Sequence, residues 1–385
     1  MPDWKVPLAD VRLGAEEITA VTQVLQSGWL SQGPLVARFE TEFARFLGTP
    51  YAIAVANGTA ALHLACLALN LGPGDEVLCP SLTFVASANA LCYTGARPVF
   101  VDIKGPHNLN ISVEDAAAKV TPRTRALMVV HYGGFPCPME EILALARRHN
   151  LRIIEDCAHA PGAICTTQDG PKKLGTFGDL GCFSFFANKN LTTGEGGMVV
   201  TSDPSLAERL RQARSHGMTS LTWDRHQGHA FSYNVLALGY NYRLDEMRAA
   251  LGLVQLTRLP EFNARRRQLT RRYREILEEL PQLVLPFREA VDNSACHLFP
   301  ILLPPQIDRR HFMQHLAAQG IQTSIHYPPV HRFSYYQQLW PPDYDHRLPR
   351  TDEVAAREVT LPLFPGMTDA QLELVTTSIK DYFSH

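Results

Sequence analysis

The chain is 385 residues long, 45% hydrophobic and 19% charged, with a formal net charge of −2. That length suits two domains around a large core, and the charge balance excludes the broad basic face of a nucleic-acid or anionic-membrane binder. No apolar run reaches bilayer-spanning length, and the first residues, MPDWKVPLADV, lack the basic start and apolar centre of a secretory signal. The eight cysteines form no CxxC pair and lie mostly in apolar segments such as LHLACLAL and EVLCPSL. They read as reduced core residues of a cytoplasmic protein, without metal-ligand spacing.

From residue 52 to 201, short β-rich runs alternate with helical patterns. AIAV (52–55) precedes the helix-like TAALHLACLALN, EVLCP (76–80) precedes TFVASANALCYTG, and PVFVDI (98–103) precedes SVEDAAAKV. RALMVVHY (125–132) precedes MEEILALARRHN, and LRIIEDC (151–157) follows it. Continuous apolar strands separated by helices predict an α/β domain with a mainly parallel sheet covered on both faces. Beyond residue 202, SLAERLRQARSHG reads as a helix, LDEMRAALGLVQLTRL as another, and EFNARRRQLTRRYREILEEL as a further, basic one. One or two strands (HLFPILL, 297–303) then mix with helices such as DRRHFMQHLAAQG and DAQLELVTTSIKDYF. The expected division is a large α/β domain over 1–255 and a smaller α+β domain over 256–385. The arginines at 265–275 read as a solvated or interface helix face, because acidic neighbours balance them.

Four places carry candidate chemistry. ANGTAALHLA puts Gly58, Thr59 and Ala60 at a strand-to-helix turn, which is either an anion site or an ordinary N-cap. Neither GxGxxG nor GxxxxGK[ST] is present, so a phosphate held there belongs to a smaller group than a dinucleotide or a nucleoside triphosphate. IIEDCAHAPGA ends a strand with Asp156, placed either to meet a protonated ring nitrogen or to cap a helix. PSLTFVASANA offers Phe84 as an aromatic cover, and CFSFFANKNLTTGEGG delivers Ser184 and then Lys189 beside glycines that let backbone approach closely. A phosphate cradle, a carboxylate, an aromatic face and a lysine are together what pyridoxal 5′-phosphate (PLP) requires.

With these blocks in this order, the chain resembles the DegT/DnrJ/EryC1/StrS family of PLP-dependent sugar aminotransferases, a branch of the type I aminotransferase fold. The resemblance also covers SGWLSQGP (27–34), GARPVFVDI, GTFGDLGCFSF, LGYNYRLDEMRAALGLVQL, GIQTSIHYPPVH and REVTLPLFPGMT. It implies that Lys189 forms the Schiff base and moves the proton, and that Asp156 keeps the pyridine nitrogen protonated. It further implies that Gly58, Thr59, Ala60 and Ser184 hold the phosphate, joined by Asn241 of a second subunit, and that Phe84 stacks on the ring. His159 stands where many relatives have Gln, near the cofactor's 3′-oxygen. Phe186 replaces a frequent His, and the FFxNK pattern resembles the branch that makes 4-amino sugars.

Trp29, His326 and Tyr327, with the 214–234 segment, are expected to line or cover the substrate pocket. The implied reaction takes an amino group from L-glutamate, by way of the PMP form, to a nucleotide-linked keto-deoxysugar, a 4-keto-6-deoxyhexose, in a ping-pong sequence. The implied assembly is a homodimer with shared sites. A PLP-dependent sugar dehydratase or lyase and a non-catalytic PLP-binding regulator are the alternatives. Retention of Lys189 argues against the first, and the complete catalytic set against the second.

Overall fold

The computed structural model describes residues 4–219, 228, 232–340 and 347–384. Seven strands build the central sheet: β1 (Tyr51–Val55), β2 (Glu76–Pro80), β3 (Arg97–Val101), β4 (Thr124–Val130), β5 (Arg152–Asp156), β6 (Leu180–Ser184) and β7 (Gly197–Thr201). Their spatial order is β1-β7-β6-β5-β4-β2-β3, with β7 antiparallel to both its neighbours and the remaining pairs parallel. The mainly parallel sheet read from the sequence is therefore present. The strands are apolar along their length because both faces are covered.

Helices α1 (Ala15–Ser27) and α2 (Pro34–Leu47) precede the sheet. Between and beyond the strands lie α3 (Gly58–Ala68), α4 (Ala86–Tyr93), α5 (Val113–Ala118), α6 (Met139–His149) and α7 (Pro204–Arg214). The two clusters that sandwich the sheet are centred on Phe39, Phe43, Phe183 and Phe185 on one side and on the small residues of α3 on the other. Two-stranded ribbons at 103–111 and 164–173 had no counterpart in the sequence reading, since each strand spans only three or four residues.

The two helices expected between 244 and 280 are one. Helix α8 runs for 32 residues, Glu246–Leu277, straight through Pro260. A proline inside a helix costs about 3 kcal/mol, but Leu256, Leu259, Phe262, Leu269 and Tyr273 carry one buried stripe across it. Its N-terminal part packs on α1 and α2, and its C-terminal part carries the last third of the chain. The division expected after residue 255 thus falls inside this helix. At its start, the Glu246 carboxylate accepts the N–H groups of Gly33, Leu35 and Val36 at 2.9–3.0 Å and so ties α2 to α8.

The arginines of α8 split in a way their sequence does not show. Arg266 and Arg274 are buried and donate to main-chain carbonyls, Arg266 to His297 and Leu363 and Arg274 to Leu285 and Pro286. Arg271 and Arg272 are exposed and paired with Asp292 and Glu275. The solvated face was expected; the two locking arginines were not.

The C-terminal part contains β8 (Phe299–Leu302) paired antiparallel with β9 (Glu358–Leu361), and the helices α9 (Arg309–Ala318), α10 (Pro349–Arg357) and α11 (Asp369–Ser384). All eight cysteines are free, and six are buried. Among the described residues no helix is long and apolar enough to cross a membrane.

Candidate active site

Strand β5 ends at the carboxyl edge of the parallel strands, where side chains alternate between the sheet's faces. Asp156 opens into a cavity of about 680 Å³. Glu155 faces away from it. Fully buried, Glu155 accepts the N–H groups of Gly175, Phe177 and Gly178 and the Nε2–H of His131, whose Nδ1 accepts from the Cys137 N–H. Glu155, His131 and Cys157 lie close enough to bind a metal, but the lone pairs of the first two are already committed to these bonds. Glu155 is held inside the fold; Asp156 lines the cavity.

The cavity gathers most of the expected residues. Gly58, Thr59, Ala60 and Ser184, which meet at one end, line it together with Asp156, Lys189, Phe84 and His159. His326 and Tyr327 close the side that faces the C-terminal part.

At the first end, α3 begins directly after β1. Asn57 caps it: the Oδ1 accepts the Ala60 N–H at 2.8 Å and its carbonyl accepts the Ala61 N–H. That bond occupies the Ala60 donor, so among the described residues the first-turn N–H groups left to a ligand are those of Gly58 and Thr59. A Cβ at Gly58 would meet the Ser184 Cβ at 2.7 Å, which is why this position has no side chain.

The loop carrying Lys189 is pinned at its base. The Phe185 N–H donates to Gly196, and the Thr193 N–H donates back to Phe185, both across 2.8–2.9 Å. A Cβ at Gly197 would strike the Asn57 carbonyl oxygen at 2.5 Å. The bare backbone around the lysine lets this loop close against the phosphate-binding turn. Burial pushes the Lys189 ammonium down to about 8, with the Asp156 carboxylate pulling the other way. Burial pushes the Asp156 carboxyl up, opposed by hydrogen bonds from the Ser87 hydroxyl (2.7 Å) and the Ala158 N–H (3.1 Å) and by the charge of Lys189.

His159 accepts the Gly133 N–H at Nδ1, which puts its own hydrogen on Nε2, 3.0 Å from the Tyr327 hydroxyl. Burial and nearby Lys189 hold this ring well below its ordinary value, so it is neutral. The Phe84 ring, 56% exposed, stands 5.8 Å from that of Tyr327.

Trp29 and Asn241 do not line this cavity. The Trp29 indole N–H donates to Gln32 beside Gly33, and Asn241 is exposed, its backbone bridged to Ser215. Much of the 214–234 segment lies outside the described residues. Within it, Arg214 is buried against Glu40 and the Ala54 carbonyl, so it serves the fold rather than the pocket.

The sequence reading also missed residues here. Ser87 and Thr83, bonded to each other at 2.9 Å, support Asp156, and their i,i+4 spacing at the start of α4 was the available signal. Tyr93, Tyr242, Asn188 and Glu195 line the cavity as well, and the buried Asn188 Oδ1 has no hydrogen-bond partner among the described residues.

The model of the DegT/DnrJ/EryC1/StrS aminotransferase family matches residues 11–380. The chain belongs to that family. Among its relatives, the spore coat polysaccharide biosynthesis protein SpsC of Bacillus subtilis (strain 168) is 41% identical over 375 residues, 96% of this chain and 95% of SpsC. The sugar aminotransferase CalS13 from Micromonospora echinospora superposes with a TM-score of 0.87 at 34% identity, covering 98% of this chain and 99% of CalS13. Spr1654 from Streptococcus pneumoniae, in its PMP form, superposes with a TM-score of 0.90 at 26% identity over 98% of each chain. The family's fold is the α/β architecture described above, with its mainly parallel sheet.

The residues present fit the family's cofactor. A buried carboxylate whose ionisation burial opposes gains most from a cationic ring nitrogen. A helix N-terminus with two uncommitted donors suits a phosphate.

Proposed function

We propose that this family member is a PLP-dependent sugar aminotransferase that moves the amino group of L-glutamate to the keto group of a nucleotide-linked keto-deoxysugar, a 4-keto-6-deoxyhexose, in a ping-pong sequence. The observation that carries this reading is the convergence of Lys189, Asp156 and the first turn of α3 on one cavity. The sugar-linked names of its relatives and the resemblance of FFANK to the 4-amino-sugar branch support the acceptor class.

When bound, the cofactor supplies an aldehyde that takes up an amino group and a ring that absorbs electrons. Gly58 and Thr59 would hold its phosphate through their N–H groups, with the Ser184 hydroxyl beside them, and Asp156 its ring nitrogen. Lys189 is desolvated enough to offer a free amine near neutral pH, and the same Nζ can accept and return a proton. His159, neutral and donating to Tyr327, leaves the tyrosine hydroxyl hydrogen to be given into the cavity. Asn241, exposed, and the partly exposed Trp29 loop are suited to completing the site of a second subunit in a homodimer.

The test is the visible spectrum of the purified protein with PLP, before and after L-glutamate. The expected outcome is a lysine-bound cofactor band that glutamate replaces with that of the amine form. The charged enzyme should then aminate a nucleotide-linked keto sugar, read as product mass. Loss of water from the sugar instead, or a band that glutamate leaves unchanged, would overturn the proposal.

A further inference from the structure

Behind the cavity wall, a short chain of hydrogen bonds ends at one of its lining residues. Glu358 begins β9 and is 1% exposed, and Thr360 lies two residues on, on the same face of the strand. Glu358 accepts the main-chain N–H of His326 at Oε2 (2.8 Å) and the Thr360 hydroxyl at Oε1. Thr360 Oγ1 stands 2.8 Å from Nδ1 of His326. The imidazole lines the same cavity as Lys189. Two main-chain bonds between Ser324 and Thr360 and one from the Tyr132 hydroxyl to the His326 carbonyl hold the segment in register.

A threonine hydroxyl has one hydrogen to give. When Glu358 is ionised it can only accept, so Thr360 donates to it and must accept from His326. The ring hydrogen then sits on Nδ1, and Nε2 is a bare acceptor on the cavity side. When Glu358 carries a proton on Oε1, it donates to Thr360, which donates to Nδ1, and the ring hydrogen moves to Nε2. We propose that Glu358, acting through Thr360, sets the tautomer of His326 and thereby decides whether the cavity presents a hydrogen-bond acceptor or a donor to the hydroxyl-bearing ligand. Glu358 and Thr360 are positioning residues; His326 meets the ligand. The identity of that ligand rests on the function proposed above.

The groups facing Glu358 are few. Arg309, at the start of α9, donates to the Glu358 main-chain oxygen. Tyr132, Tyr327 and the His326 N–H lie near the carboxylate, and Lys189 lies near His326 and lines the same cavity. Burial pushes the Glu358 carboxyl up to about 8, against the Thr360 hydroxyl, the His326 N–H and Arg309. Burial and Lys189 hold His326 down at about 4. The ring is therefore neutral throughout the range in which Glu358 titrates, so the hydrogen changes nitrogen without a change of ring charge.

The test is long-range 1H–15N correlation of the full-length, PLP-loaded protein labelled with 15N-histidine, with H326N identifying the His326 signals. The expected wild-type result is an Nε2–H pattern at low pH that turns to Nδ1–H with a midpoint of about 8. In E358Q the side-chain oxygen must accept the His326 N–H, so the amide faces Thr360 and holds the ring as Nε2–H at every pH. T360V should abolish the pH-dependent change, and T360S, which keeps the hydroxyl, should restore it. A His326 pattern that does not change with pH in the wild type, or that T360V leaves responsive to pH, overturns the inference. Because the signal reports a hydrogen on one ring, it is read whether or not glutamate and sugar prove to be the substrates.

Discussion

The Ser87 hydroxyl donates a 2.7 Å hydrogen bond to Oδ2 of Asp156, and both groups are buried. A bond to an ionised carboxylate contributes about 1.5–3 kcal/mol, and here it opposes the burial that pushes Asp156 up. Replacing Ser87 with Ala should therefore weaken cofactor binding by about 10- to 100-fold at neutral pH, measured by absorbance titration of the cofactor-free protein with PLP. Unchanged affinity would mean that Asp156 is not the partner of the ring nitrogen.

Lys189 supplies a pH dependence. Its ammonium is lowered to about 8 from an ordinary 10.5. The nucleophilic form is the free amine, so cofactor uptake should accelerate as pH rises and level off beyond that midpoint. Stopped-flow absorbance of PLP binding checks this, and a rate still climbing at the ordinary lysine value would show that the lysine is solvated. Arg in place of Lys189 should bind the phosphate end yet form no covalent band.

Gly58 tests the phosphate end alone. An added methyl would meet the Ser184 Cβ at 2.7 Å, at the turn where Gly58 and Thr59 offer their N–H groups to a ligand. Gly58→Ala should raise the PLP dissociation constant by at least about tenfold while thermal melting of the cofactor-free protein falls only slightly. Equal losses in both would make Gly58 a fold residue.

Glu155 should behave in the opposite way to its neighbour. Glu155→Ala strands the buried Gly175 N–H, the part-buried N–H groups of Phe177 and Gly178, and buried His131, and it is expected to cost at least about 3 kcal/mol of stability. Denaturant unfolding measures it. Asp156→Ala, by contrast, should lose turnover and cofactor affinity with a far smaller change in the unfolding midpoint.

Shared sites can be tested by mixing. If Asn241 serves the partner subunit, Lys189→Ala and Asn241→Ala subunits, each inactive alone, should recover roughly a quarter of wild-type activity after random reassociation. No recovery, with dimers present by light scattering, would place Asn241 outside the site.

Much of this is legible in the sequence. Strand and helix order from 52 to 201 follows from apolar runs broken by helical spacing, and Lys189, Asp156 and the Gly58 turn stand out because a cofactor needs those groups together. The division of α8 into two helices failed because Pro260 is a strong local breaker, and only the buried stripe across it outweighs that preference. Arg266 and Arg274 look like their solvated neighbours in sequence, since burial is a property of what packs against a helix.

What the sequence determined by itself was the local chemistry: which residues end a strand, begin a helix or must lack a side chain. These depend on backbone preferences and short-range spacing. Only the tertiary structure decided that Glu155 is bonded into the fold while Asp156 lines the cavity, that Ser87 bonds Asp156 from 69 positions away, and that Glu358 reaches His326 from 32. Those relations come from the register of the strands and the closing of distant segments onto one another, where burial shifts the titration of an ordinary carboxylate or imidazole and fixes its hydrogen-bond partners.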